Sequence, residues 1–344
     1  MTISFLDVPG MVRWVSERGV ENILRELTEV IDADFARWQE FDKTPRVASH
    51  STEGVVELMP TSDGVTYGFK YVNGHPRNPE RGFQTVTAFG VLADVGNGYP
   101  LFLSEMTILT ALRTAATSAM AARRLARPGS TTMAMIGCGA QAEFQALAFR
   151  TVLGIDRLRI WDTDPAAMDK LERNAVRAGF DVHRATDARD ACLGADIVTT
   201  CTADKANAIV LPHDAVVPGM HLNGIGGDCP GKTELDPRTV AAARVFVEYT
   251  PQTRIEGEIQ RQAADFPVTE LWEVVQGRRP GRGSADDVTL FDSVGFAIED
   301  FSALRYVYDA IRAAGESPTV DLVAEPHDPK DLFAYATAAA VVAV

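Results

Sequence analysis

Residues 136–141 read IGCGAQ, between the apolar run 133–136 and a helical stretch, and a second apolar run, 158–161, closes on Asp162. Strand, glycine turn, helix, strand and acid in that order form the pattern of a dinucleotide site. Gly137 allows the sharp turn, Gly139 lets backbone approach a pyrophosphate, Ala142 permits close helix packing, and Asp162 is placed to accept hydrogen bonds from a ribose diol. The plainer reading of the glycines alone is an ordinary turn from strand to helix. A carboxylate at 162 repels a 2′-phosphate, and Thr163-Asp164-Pro165 supplies no arginine to receive one, so the expected cofactor is NAD rather than NADP. A second chemical signal is Gly226-Gly227-Asp228, where a carboxylate behind a glycine pair can come close to a ligand and act as a base. Its alternative is an aspartate capping its own turn. Cys138, inside the glycine turn, reads as a small residue filling tight space rather than as a nucleophile.

These residues need elements to hold them. Val20, Ile23, Leu24, Leu27, Val30, Ile31 and Phe35 recur at helical spacing over 20–38, so an amphipathic helix is expected there. Residues 54–59, 66–72 and 84–93 are short, rich in Val, Phe, Tyr and Thr, and bounded by turn residues, as strands are. Asn97-Gly98 predicts a hairpin into a strand over 99–103. The Ala- and Leu-rich stretch 107–126 carries Arg123 and Arg124 near its end and meets Pro128-Gly129, which predicts a long helix bridging two domains. Beyond it, apolar runs at 133–136, 158–161, 197–201, 221–225, 245–248 and 288–291 alternate with helical stretches, the signature of βαβ units and a largely parallel sheet. Residues 297–314 read as a helix closing that domain. The fold class expected is α/β: a Rossmann-type NAD domain over 129–314 with a mainly parallel sheet, plus an α+β substrate-binding and dimerisation domain over 1–128 on which 315–344 packs back. The small apolar tail, 336–344, reads as a frayed end.

Composition narrows the function classes. The 344 residues suffice for two domains, and 46% hydrophobic with 23% charged residues is the balance of a soluble globular protein. A net charge of -14 argues against a nucleic-acid partner. No apolar run approaches the roughly 18 residues that cross a bilayer, and the first ten residues lack a basic signal region, so no membrane partner and a cytoplasmic location are expected. Cys138, Cys192, Cys201 and Cys229 form no CxxC pair and the histidines no metal-binding spacing, so reduced thiols and no structural metal are expected.

Six further segments are more specific than fold requires: RVASHS at 46–51, ELMP at 57–60, FKYVNGHP at 69–76, ALRTAATS at 111–118, GGDCPGKTEL at 226–235 and FDSVGFAIED at 291–300. With IGCGAQAEFQ they resemble the ornithine cyclodeaminase and mu-crystallin family, most closely its bacterial ornithine cyclodeaminases, over all but the last ten or so residues. The resemblance implies a homodimer joined through the first domains, tightly held NAD, and conversion of L-ornithine to L-proline and ammonia with no net redox change, because the hydride removed from the substrate is returned to the product.

The resemblance also carries roles to particular residues. Arg46, Lys70 and Arg113 match substrate positions and are assigned to the amino-acid α-carboxylate, for which directional cations are suited; Arg113 is shared with the cofactor. Asp228 matches the residue that moves the proton of the substrate amine and holds its side-chain amine. Glu57 is read as a positioning or relay group, with a cross-strand ion pair to Lys70 as the structural alternative. Thr85, Ala140, Gln141, Asp162, Thr202, Lys232 and Val294 match cofactor contacts, to which the backbone of Gly137, Gly139, Gly226 and Gly227 is added; Val294 also borders the substrate. Thr202 and Val294 independently fall at the ends of expected strands, where ligands collect in a parallel sheet. Other readings of the same pattern are a ketimine reductase, an amino-acid dehydrogenase or a lysine cyclodeaminase of the same superfamily, and a crystallin-type binding protein without turnover.

Overall fold

A computed structural model describes residues 2–203, 207–315 and 318–338. The first sheet is built from β1 (Thr2–Leu6), β2 (Val47–His50), β3 (Val55–Ser62), β4 (Thr66–Gly74), β5 (Ala88–Asp94) and β6 (Pro100–Glu105). Strands β2 to β6 form an antiparallel meander, and β1 lies parallel to β6. The β5–β6 hairpin turns through Asn97-Gly98, where Gly98 has φ +77° and Asp94 accepts the Asn97 amide at 3.0 Å. The strand expected from residue 84 begins at Ala88, so Thr85 lies in the preceding loop, where its carbonyl accepts the His75 amide.

The second sheet is parallel throughout and runs from β7 (Thr132–Ile136), β8 (Arg157–Trp161), β9 (Asp181–Arg184) and β10 (Ile197–Thr200) to β12 (His221–Gly224), β14 (Arg244–Val247), β15 (Thr269–Glu270) and β16 (Thr289–Asp292). A separate parallel pair joins β11 (Asn207–Leu211) to β13 (Thr233–Leu235). Spatial order is β9-β8-β7-β10-β12-β16-β14-β15. The chain therefore reverses direction across the sheet between β7 and β10, the switch point where open parallel sheets bind ligands at their carboxyl ends. The last strand, β17 (Thr319–Asp321), returns to the first sheet and pairs antiparallel with β1. Strands β1, β2, β9, β11, β13, β15 and β17 and the helix Val8–Arg18 were not anticipated; most are too short or too exposed to show a period.

The Val20–Ala36 helix buries Ile23, Leu24, Leu27, Ile31 and Phe35 completely, each worth roughly 1.5–3 kcal/mol of transfer free energy. Its buried face meets the interdomain helix Thr107–Leu125, which also touches β12 and β16 of the parallel sheet. The helix Ala297–Ala314 departs from expectation. It follows β16 but packs across β3, β4 and β5 and against Val20–Ala36 rather than closing the nucleotide domain. The reason lies in the small residues facing it: a Cβ on Gly68 would lie 3.1 Å from Phe301, and one on Gly90 would lie 2.9 Å from Leu304. Two glycines in the first sheet thus make the groove this helix fills. Of the tail, 336 and 337 end the short exposed helix Leu332–Thr337, Ala338 follows it, and 339–344 lie outside the described residues.

Candidate active site

At the switch point, β7 ends in Ile136 and Gly137 takes φ +100°, a conformation that disfavours any side chain. A Cβ there would also lie 2.8 Å from the Cys201 carbonyl, just past the end of β10, so the two strand ends touch at this glycine. Space beside Gly139 is open, and the helix Ala142–Leu153 starts three residues on with Ala142 fully buried. Open backbone at a helix N-terminus suits a phosphate, since the first amides have no intrahelical partner. Asp162 closes β8 and accepts the Cys138 amide at 2.6 Å and the Asp164 amide at 2.9 Å. The acid expected to read a ribose therefore also fixes the glycine turn. Burial and the neighbouring Asp162 push the Cys138 thiol up to about 12, which leaves it no nucleophilic role. Gln141 ties the turn to the interdomain helix by donating to the Ala111 carbonyl at 3.1 Å. These residues fit a dinucleotide.

The three candidate cations lie where the first sheet faces the carboxyl ends of β14 and β16. Arg46 precedes β2; its guanidinium donates to Glu57 at 3.0 Å, lies 3.1 Å from Glu256, and donates to the carbonyls of Val294 and Gly295. One side chain thus joins the two domains. Lys70 on β4 donates to Asp300 at 2.8 Å, and Arg113 donates to Glu299 at 2.6 Å while its Nε lies 2.9 Å from the same Asp300 oxygen. Lys70 and Asp300 are each about 1% exposed. Burial and the Arg113 charge bring the Lys70 ammonium down to about 8 against the pull of Asp300, so it titrates near working pH. Burial lifts the Glu256 carboxyl to about 7, opposed by Arg46.

The possible Glu57–Lys70 ion pair does not form. Glu57 stands opposite Val72 and Lys70 opposite Met59, which makes the two diagonal neighbours, and each takes a nearer partner from elsewhere in the chain. Lys232, assigned to the cofactor, donates to Asp228 at 3.1 Å. Asp228 is half-exposed, on the loop after β12, and its charge is felt at both Arg46 and Glu256.

Beneath this loop, carboxylates hold backbone in succession. Glu234 accepts the Thr202 amide at 2.7 Å and the Thr202 hydroxyl, and it fills the space where a Cβ on Gly226 would go. Glu258 accepts the amides of Glu234 and Leu235 and would meet a Cβ on Gly227 at 2.6 Å. Asp292, ending β16, accepts the amides of Glu258 and Ile259, and Glu248 after β14 accepts the Ser293 hydroxyl and the Val294 and Gly295 amides. Gly226 and Gly227 are thus glycine because acids stand behind them, and Thr202 and Val294 are held by acids from other strands.

A family model for the ornithine cyclodeaminase/mu-crystallin family matches residues 9–315. The chain belongs to this family. It is 59% identical over 331 residues to an ornithine cyclodeaminase of Agrobacterium fabrum, covering 96% of this chain and 94% of that one. Among solved structures it matches, with TM-score 0.93 and 32% identity, one that shows the basis for recognition of L-lysine, L-ornithine and L-2,4-diaminobutyric acid by lysine cyclodeaminase, covering 97% of this chain and all of the other. It also matches an archaeal alanine dehydrogenase dimer with bound NAD, with TM-score 0.85 and 29% identity over 94% of this chain and all of that one. The parallel domain is accordingly an NAD(H)-binding fold.

Of the acids that hold the cations, Glu57 was a candidate in the sequence, whereas Glu256, Glu299 and Asp300 were not. Glu299 and Asp300 fall in the quoted segment FDSVGFAIED, and their signal was two adjacent acids between Phe296-Ala297-Ile298 and Phe301, where an apolar helix face was otherwise expected. Glu256 and Glu234 carried no comparable signal, because only the fold brings them beside Arg46 and Thr202.

Proposed function

We propose that the chain is an NAD-dependent ornithine cyclodeaminase that converts L-ornithine to L-proline and ammonia, acting as a homodimer in the cytoplasm. The observation that carries this reading is the buried set of Arg46, Lys70 and Arg113 at the carboxyl edge of the NAD(H)-type sheet, with Asp228 near enough for its charge to act on Arg46. Support comes from the 59% identity to the Agrobacterium ornithine cyclodeaminase.

An amino-acid carboxylate needs donors with spare capacity. Lys70 has three and gives one to Asp300 among the described residues. The substrate amines need acceptors, and Glu57 offers one buried carboxylate oxygen with no hydrogen-bond partner among the described residues, while Asp228 stands half-exposed across from Arg46. When bound, the nicotinamide supplies a reversible two-electron acceptor at the substrate α-carbon. Asp228 takes the proton of the α-amine and later returns one to the departing ammonia. Glu57 holds the side-chain amine, and closure of a five-membered ring favours ornithine over the longer lysine. In an apolar pocket the extra methylene is worth only about 1–3 kcal/mol, so lysine should be a slow substrate rather than an excluded one. Asp162, with no arginine following it, supports NAD over NADP.

A direct comparison of cofactors and substrates tests this reading. Turnover with NAD and ornithine is expected to exceed that with NADP or with lysine by tenfold or more. Equal turnover with NADP would remove the argument from Asp162, and preference for lysine would reassign the substrate.

A further inference from the structure

Asp300 has no assigned role, yet it occupies the centre of the charge cluster. One oxygen, Oδ1, accepts from Lys70 Nζ at 2.8 Å and lies 2.9 Å from Arg113 Nε, and the other has no hydrogen-bond partner among the described residues. The residue sits in the first turn of the Ala297–Ala314 helix and is itself only about 1% exposed. That helix is held against β4 by Phe301, whose ring would meet a Cβ on Gly68, so the position of Asp300 over Lys70 is fixed by packing one residue away. A single buried oxygen thus bridges two cations that come from different elements and would otherwise repel each other.

We propose that Asp300 is a positioning residue for substrate binding, which holds the Lys70 ammonium beside the Arg113 guanidinium as a charged pair that grips the α-carboxylate. This rests on the ornithine cyclodeaminase reading. Removing the Asp300 charge leaves Lys70 buried beside Arg113 with its nearest counter-charge gone. The charged groups that act on Lys70 are Asp300 from the Ala297–Ala314 helix, Arg113 from the interdomain helix and Arg46 from the segment before β2, with Glu299 paired to Arg113 and Glu57 on β3 paired to Arg46; the register neighbours of Lys70, Met59 and Gly90, are uncharged. Burial and Arg113 lower the Lys70 proton affinity and Asp300 raises it, so loss of Asp300 moves deprotonation to lower pH.

The test uses the NAD-loaded protein and L-proline as a competitive ligand against ornithine, because the groups of proline do not titrate across neutral and mildly alkaline pH. In the wild type, proline affinity is expected to fall as pH rises through about 8. In Asp300→Asn, which keeps an oxygen acceptor but no charge, the fall should begin about one pH unit or more lower, with KM for ornithine raised far more than kcat is reduced and with bound NAD unchanged. Asp300→Glu, which restores the charge, should return the fall to the wild-type pH. Lys70→Arg should abolish it, since a guanidinium stays charged. An unmoved profile in Asp300→Asn, or an equal displacement in Asp300→Glu, overturns the role. If Asp300→Asn does not fold, the Asp300→Glu and Lys70→Arg profiles decide the matter on the same terms. A wild-type protein that neither turns over ornithine nor binds proline overturns the functional reading instead, and is distinguished from the first failure by that silence.

Discussion

Lys232 and Asp228 show how residue roles depend on partners that the chain supplies from a distance. Four residues apart, they form an ion pair on a loop backed by Glu234 and Glu258. If Asp228 moves the amine proton, Asp228→Asn should lower kcat by about 10²- to 10⁴-fold. NAD should remain bound, checked by releasing cofactor on denaturation and counting it; substantial remaining turnover would count against the role. Asp162→Ala acts differently, since it removes the acceptor of the Cys138 amide as well as the proposed ribose acceptor. Loss of charge-assisted hydrogen bonds at about 1.5–3 kcal/mol each should weaken NAD by tenfold or more in equilibrium binding, and an unchanged Kd would contradict the assignment. Arg46, Lys70, Arg113 and Asp228 could be singled out in the sequence as candidates because they stand in distinctive segments. Of the carboxylates that pair with the cations, Glu57 could be singled out in the same way, but Asp300 could not, since Lys70 meets it across 230 residues of chain and nothing local records that meeting.

Elements with a strong period were read closely. The helix Thr107–Leu125 and strands β7, β8, β10, β12, β14 and β16 all fall within one or two residues of the expected runs. A buried parallel strand bounded by turns shows itself as an apolar block, whereas β9, with three of its four residues exposed, and the two-residue β15 do not. The helix Ala297–Ala314 was read correctly as a helix and placed on the wrong sheet. Its apolar residues encircle most of it, so no single stripe announced which neighbour it meets; the glycines at 68 and 90 decide that from another part of the chain. Gly90→Ala would press a methyl onto Met106 and Leu304. Overpacking of this kind should cost about 1–3 kcal/mol in chemical denaturation, and a change within about 0.5 kcal/mol would argue that the helix does not sit in this groove.

At the scale of the whole molecule, Arg46 anchors the first domain to the β16 end of the second through two carbonyls, and the Ala297–Ala314 helix carries Asp300 back over Lys70. The proposed substrate site would therefore be built from both domains. The proposed dimer would cover the outer face of the first sheet, where Val47, Leu58, Tyr67 and Phe89 are at least 40% exposed and Tyr71 stacks on Phe89 at 5.0 Å. Sedimentation should give a dimer, and Phe89→Asp should shift it toward monomer; a wild-type monomer would refute the assembly. The proposed reaction is a closed redox cycle at this site. It is tested by following proline, ammonia and NADH absorbance together when the purified protein meets L-ornithine with a catalytic amount of NAD. Equal proline and ammonia without accumulating NADH is the predicted result; ammonia released with stoichiometric NADH, or no reaction, would contradict it.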